Sequence, residues 1–322
     1  MVAAGVMSCA APEFCSEFFP KRTTYQPEEK ATPPANSYCE TPASSFLVRG
    51  PHYLDADGSK FKKNNKDLKV PSAAATYSLV GLQCFSSSKR MPHGAEKIQP
   101  LREFLQAGLS EESAESIYPQ FLIFTWLLAN GSGTEFTSVV HLCKRTFSPG
   151  DDPVFDRTFL HFVEGDDECK RELLKMAFRI VRAPMGVKAT VGTLGGERPV
   201  LIAKRLATEF FTGRNYIEVD MDVGSSTVAS KMKGMICTAA GHIVGDQIFL
   251  IEGTTSGNLP ERALVSLRWN YTNVNACTLP LTDDGVLIDN PDMGKLALSD
   301  GEGSTNEDGD DEYYDTASLD SV

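Results

Sequence analysis

No run of this chain approaches 18 consecutive apolar residues. The longest apolar stretch, residues 121–129, stops at Asn130-Gly131, so no membrane-crossing helix is expected. Close cysteine pairs are missing as well. The eight cysteines stand singly, with no C-x-x-C, which excludes a zinc ribbon, a redox dithiol pair and a small disulfide scaffold. The five histidines (His52, His93, His141, His161 and His242) show no ligand spacing, and no P-loop, Rossmann fingerprint or G-x-S-x-G elbow occurs. Positive charge is scarce, with 31 Lys and Arg against 43 Asp and Glu. Nine of the acids fall between Asp300 and Val322, a segment without Lys or Arg. The net charge of −12 therefore leaves only −3 on the rest of the chain. A nearly neutral body with an acidic tail excludes a generally basic nucleic-acid binder. Residues 1–11 lack the basic start and long apolar run of a signal peptide, so free thiols in a cytosolic setting are expected.

What is present is the composition of a folded protein. The chain has 322 residues, 41% hydrophobic and 23% charged, enough for a sizeable core and unlike a disordered chain, a collagen or a coiled coil. Six prolines within residues 12–42 suggest an irregular leader over residues 1–44. Strand-like text then dominates: residues 76–85, the pair 120–129 and 136–147 joined by Asn130-Gly-Ser-Gly, and residues 199–203, 216–223, 247–251 and 264–271. Helices are expected over residues 96–118 with a break near Gly108, over 169–181, and after a cap at Ser225-Ser226. In the second of these, Leu173, Leu174, Ala177, Phe178 and Val181 follow helical spacing. The expected fold class is α+β: a single domain at residues 45–276, with a mostly antiparallel curved sheet packed against a few helices, then a disordered acidic tail at 277–322.

Several segments carry a specific resemblance. Phe46-Leu-Val-Arg-Gly-Pro-His-Tyr-Leu54 resembles the F-x-V-R-G-x-x-Y-L opening of the plant enhanced disease resistance 2 C-terminal domain family. Pro199-Val-Leu-Ile-Ala-Lys204 and Phe210-Phe-Thr-Gly-Arg-Asn-Tyr-Ile-Glu-Val-Asp220 are similar to later blocks of that family. So are Met221-Asp-Val-Gly-Ser-Ser226, Phe249-Leu-Ile-Glu-Gly253 and Leu259-Pro-Glu261. The blocks keep the family's order and span roughly residues 46–269. Ala203 replaces a family glycine, and the middle, around residues 77–147, diverges. The resemblance implies a domain that in plants often follows a pleckstrin-homology and a StAR-related lipid-transfer domain. About 45 residues precede the first block here, so a stand-alone version is expected. It also implies membrane-lipid recognition or a role in defence and cell-death regulation, with no catalytic residue, cofactor or metal.

Candidate chemistry is sparse. Glu218, Asp220 and Asp222 alternate with Ile217, Val219, Met221 and Val223, the pattern of a strand with one buried and one polar face. On a cleft these carboxylates would line a polar or head-group pocket. A D-x-D pair could instead hold a divalent cation for an enzyme, the less favoured reading. Gly192-Thr-Leu-Gly-Gly-Glu197 lacks a Lys-Ser/Thr ending and reads as a turn. Lys60, Lys62, Lys63, Lys66 and Lys69 form a candidate membrane contact for anionic head groups, against a bland reading as a solvated loop. In the tail, Glu312, Tyr313, Tyr314, Asp315, Thr316 and Ser318 resemble the FFAT motif by which lipid-transfer proteins dock on VAP-type receptors of the endoplasmic reticulum. Tyr314 departs from the usual Phe, and Ser318 would need phosphorylation to imitate the motif's acid. The expectation is therefore a non-enzymatic, cytoplasmic, lipid- or membrane-binding regulatory protein, peripheral at the endoplasmic reticulum through its tail. The alternative is a protein-interaction scaffold that binds no lipid.

Overall fold

A strand buried on both faces reads as a continuous apolar run, and the Phe-Leu-Ile-Phe-Thr-Trp-Leu-Leu stretch of strand β6 (Phe121–Ala129) is buried throughout. It lies in the middle of a six-stranded sheet in the computed structural model, which describes residues 21–25, 32–54, 68–111, 115–129, 133–184, 199–224, 240–274 and 276–288. That sheet runs β10 (Ala207–Thr212), β11 (Tyr216–Asp222), β6, β7 (Phe136–Arg145), β5 (Tyr77–Ser87) and β14 (Thr278–Pro280). A second six-stranded sheet runs β1 (Lys21–Arg22), β2 (Ser37–Glu40), β13 (Ala263–Asn270), β12 (Val244–Ile251), β8 (Leu174–Arg182) and β9 (Val200–Leu201). Pairing is mostly antiparallel; β1·β2, β6·β11 and β5·β14 are parallel.

The two sheets pack face to face. Leu122, Phe124 and Trp126 of β6 share one hydrophobic cluster with Phe249 and Ile251 of β12 and Met176 of β8. The Phe124 and Phe249 rings stack with centroids 4.0 Å apart, so side chains fill the space between the sheets there. Each outer face has its own cover. Helices α1 (Gly94–Lys97) and α2 (Gln99–Ala107) place Ala95, Ile98, Leu101 and Leu105 on Ile123, Val140 and Leu142 of the first sheet. A two-stranded ribbon of β3 (Leu47–Arg49) and β4 (Lys69–Pro71) places Val48, with Phe46 and Ala43, on Ala177, Ile248 and Leu250 of the second. Helix α3 (Pro153–Glu164) packs Phe155 and Phe159 against Phe147, and Phe159 also against Tyr77 and Tyr118. The architecture is α+β, as its sequence implies.

Several elements differ from their sequence patterns. The helix expected over residues 169–181 ends early: α4 (Asp167–Leu173) gives way to β8. Leu174, Ala177 and Phe178 satisfy helical spacing, yet pairing of Leu174–Arg182 along the whole of β12 overrides it. Only Val200–Leu201 of the strand expected at 199–203 pairs, and Ile202–Arg205 turns into the one-turn helix α5. Helix α3 and strand β10 are absent from the sequence reading. The signal for α3 is Asp152-Pro153, since Asp152 caps the Phe155 amide at 3.0 Å and proline occupies the first turn. The sheets also use residues on both sides of the expected domain limits: β1 and β2 precede residue 45, and β14 follows residue 276.

Candidate functional site

The outer face of the second sheet carries charge inside apolar strand text. Lys175 of β8 is 5% exposed, and its Nζ lies 2.6 Å from Glu261 Oε1 and 3.3 Å from Glu252 Oε2. Arg49, at the end of β3, completes the network. Its Nη1 is 2.8 Å from Glu252 Oε1 and donates to the Gly253 carbonyl at 2.9 Å, while its Nε lies 3.7 Å from Glu261. Glu261 also accepts from the backbone N–H groups of Gly253 (3.0 Å) and Arg49 (3.1 Å). Two carboxylates therefore neutralise two cations, and each buried charge has several partners, as burial demands. The backbone must approach closely to close this network. A Cβ on Gly253 would sit 2.5 Å from Leu259 Cδ2, and one on Gly50 would sit 2.5 Å from the Leu68 carbonyl oxygen.

Above this floor opens a cleft of about 590 Å³. Lys69, Lys204 and Arg205 add three cations to its lining beyond the neutral floor, and Tyr53 lies under the Arg49 guanidinium at 5.2 Å. Leu47, Val48, Pro199, Val200 and Leu201 supply the apolar part of its lining. Helix α5 explains the cations' placement: Ile202 and Ala203 are buried beneath it, which turns Lys204 and Arg205 outward. Lys204 pairs with Glu172 at 2.5 Å, but both are about half exposed, so solvent weakens that tie.

Residues 38–273 match a family model described as "Protein ENHANCED DISEASE RESISTANCE 2, C-terminal". The chain belongs to this family. It is 27% identical over 233 residues to an Arabidopsis thaliana protein named "Protein ENHANCED DISEASE RESISTANCE 2-like", covering 71% of this chain and 30% of that relative. The chain thus spans under a third of the length of that curated relative. No solved structure matches it significantly. The ENHANCED DISEASE RESISTANCE 2 blocks read in the sequence gather in two places. Those at residues 46–54, 199–204, 249–253 and 259–261 contribute to the cleft or to the segments that shape it. The block at 210–222 forms β10 and β11, in the other sheet.

There the structure corrects the expected polar face. Glu218 and Asp220 are fully buried, because α1 covers the strand face that alternation assigns to solvent. Glu218 accepts from the Gly94 and Ala95 amides at 2.8 and 3.1 Å, and Asp220 accepts from the His93 amide at 2.7 Å. The two carboxylates satisfy the first amides of α1, which lacks a capping side chain of its own. Burial, then the neighbouring Asp220 charge, drives the Glu218 carboxyl well above its ordinary value. Burial likewise lifts Asp220 to about 6, against the lowering effect of the His93 amide. Asp222 is set apart, half-buried and 3.3 Å from Arg90 Nε. Asp220 and Asp222 therefore do not face one open cleft. Among the described residues no group of three His, Cys, Asp or Glu side chains is placed to hold a metal ion, and no helix is long and apolar enough to cross a membrane.

Of the candidate membrane lysines only Lys69 is described, and it lines the cleft; Lys60, Lys62, Lys63 and Lys66 lie outside the described residues. So do the 192–197 turn, the Ser225-Ser226 cap and the FFAT-like residues 312–318. Sequence reasoning missed Arg49, Lys175, Glu252, Glu261, Lys204 and Arg205 as a group. Their signal was charge embedded in apolar text, as in Leu174-Lys175-Met176 and Ile251-Glu252-Gly253, five of the six within or beside blocks that carry the family resemblance.

Proposed function

We propose that this domain engages a membrane-lipid surface and that the chain acts as a non-enzymatic regulatory protein. The observation that carries this reading is the amphipathic cleft, whose lining combines Lys69, Lys204 and Arg205, beyond the ion-paired floor, with Leu47, Val200 and Leu201. That is the arrangement a lipid's head group and glycerol region would meet. Tyr53 and Lys69, both in the cleft lining, bracket the segment that bears Lys60, Lys62, Lys63 and Lys66. Those lysines then offer a second electrostatic contact to an anionic surface. The tail motif, Glu312 to Ser318, supplies the address: an acidic stretch steers onto a basic receptor groove, and Tyr313 is buried to set specificity. The receptor is a VAP-type protein, and the location is the cytoplasmic surface of the endoplasmic reticulum.

Vesicle flotation of the full chain tests the lipid half. Flotation with anionic but not with pure phosphatidylcholine vesicles is expected; failure to float with either refutes it. A second reading, a scaffold that binds proteins alone, draws on the stacked Phe124 and Phe249 rings, which occupy space that a swallowed acyl chain would need. Loss of flotation would favour it.

A further inference from the structure

Helix α1 buries two acids without burying a base. Glu218 and Asp220 stand two residues apart on the strand face that α1 covers, both fully buried, and among the described residues neither is paired with a Lys or Arg. Arg90, the cation on the approach to α1, is taken by Glu209 at 3.1 Å and Asp222 at 3.3 Å. Two neighbouring carboxylates cannot both ionise cheaply in such a place. Their donors are the amides of His93, Gly94 and Ala95 and the single hydroxyl proton of Thr125, which lies 3.4 Å from Glu218 Oε1. Asp220 Oδ1, also buried, accepts from none of these. The Glu218 carboxyl adjoins it, so a proton held between the two acids supplies the missing donor and removes one buried charge. The surrounding titratable groups do not replace that proton. Tyr216 and Asp222 flank the pair on β11, Glu209 faces it from β10, and β6 brings only Thr125, which does not titrate. On the α1 side, Glu96 and Lys97 are exposed, Lys89 pairs with Asp283, and the His93 imidazole meets the Tyr216 hydroxyl at 2.9 Å.

We propose that Glu218 and Asp220 form a proton-operated latch: their shared proton seats α1 on β11, α1 seats the C-terminal turn at 282–286, and loss of that proton as pH rises loosens both. The latch holds a strained backbone. His93 has φ +59°, a left-handed conformation that a side chain disfavours, and its amide is fixed by Asp220 at 2.7 Å. The turn rides on the far end of α1. The Gly285 carbonyl accepts from the Gln99 amide at 2.9 Å, and Leu281 shares a cluster with Ile98 and Leu101. Gly285, at φ +78°, abuts the Lys97 carbonyl so closely that no side chain fits. From this turn the chain continues toward the acidic residues 300–322. Burial holds both carboxyls above their ordinary values, so the seated form keeps protons that a released form gives up. Its advantage is full at low pH and fades as pH rises through about 6, where Asp220 titrates, and on through the raised Glu218 titration. The latch operates whether or not a lipid binds.

Hydrogen–deuterium exchange of the full chain between about pH 5 and 8, read as protection factors so that the chemical rate divides out, tests the latch. Protection of residues 91–99 and 280–288 is expected to fall together with rising pH, by at least about tenfold, while β12 and β13 keep theirs. Glu218→Gln tests the proton itself. Its amide oxygen still accepts from Gly94 and Ala95, its NH2 group donates to Asp220 Oδ1, and protection over 91–99 should stay within about threefold across the range. Asp220→Asn makes the same exchange from the other side and is expected to flatten the profile too, which covers the case in which the first variant does not fold. Protection that is flat with pH in the parent, or that falls as steeply in a folded variant, overturns the latch. So does an equal fall in β12 and β13, which marks a loosening of the whole domain. A fall over 91–99 with 280–288 unchanged overturns the coupling to the turn.

Discussion

Replacing Glu261 with alanine isolates the energetics of the cleft floor. The carboxylate is 1% exposed and holds Lys175 Nζ at 2.6 Å, with the Gly253 and Arg49 amides at 3.0 and 3.1 Å. Its removal leaves Lys175, 5% exposed, with Glu252 alone at 3.3 Å, and strands two backbone donors. Breaking a buried pair by deleting one partner costs about 3–5 kcal/mol, because the remaining charge stays desolvated. A buried amide left without an acceptor adds about 1–3 kcal/mol where water cannot reach it. Glu252 still meets Lys175, so the ion-pair cost falls at the low end, about 3 kcal/mol. With one amide out of reach of water, a loss of about 4 kcal/mol is expected, a large share of the 5–15 kcal/mol typical of a domain. By contrast Arg22→Ala breaks only the exposed Arg22–Glu40 pair and should cost under about 1 kcal/mol. Urea unfolding followed by circular dichroism, with the slopes compared, measures both. A double variant, Lys175→Met with Glu261→Gln, should recover part of the loss by removing the orphaned charge. A Glu261→Ala cost below about 1 kcal/mol would refute the claim that these charges are desolvated and mutually dependent.

Two further predictions concern pH. The Asp220 carboxyl titrates at about 6 in the folded chain, above its ordinary value, so the folded state keeps a proton that the unfolded state has lost. Its contribution is complete below about pH 4 and disappears as pH rises through about 6. Asp220→Asn should flatten that decline, and a difference between parent and variant that does not change from pH 4 to 7 would contradict it. His141 behaves in the opposite sense. It is fully buried, neither ring nitrogen has a hydrogen-bond partner among the described residues, and burial pushes its titration down to about 3. Its stability contribution is present above about pH 6.5 and is lost as pH falls toward 3. His141→Phe, which removes the unpartnered nitrogens beside Trp269 and Phe249, should leave stability at pH 7 unchanged or raised by about 1–3 kcal/mol and remove that acid sensitivity. A large loss at pH 7 would show that an imidazole nitrogen is bonded after all.

How much was legible follows local information. The β6–β7 hairpin announces itself in the sequence, because two apolar, β-branched and aromatic runs flank Asn130-Gly131. Strands β11, β12 and β13 are likewise set by short-range pattern, and the family is set by block order. The helix expected at 169–181 fails because spacing alone cannot weigh pairing with a strand some 70 residues later. Alternation in 216–223 correctly separates two faces, but only tertiary structure decides what covers the second. Helix α1 lies there, so Glu218 and Asp220 bind amides instead of solvent or a head group. The cleft is the extreme case. Arg49, Lys175, Lys204 and Glu261 are as much as 212 residues apart, and each alone is an ordinary charge. The sequence by itself determined the α+β class, the acidic tail and the residues that can bear charge. Folding decided which charges meet, because ion pairing and desolvation depend on distance in space, a quantity that local spacing does not contain.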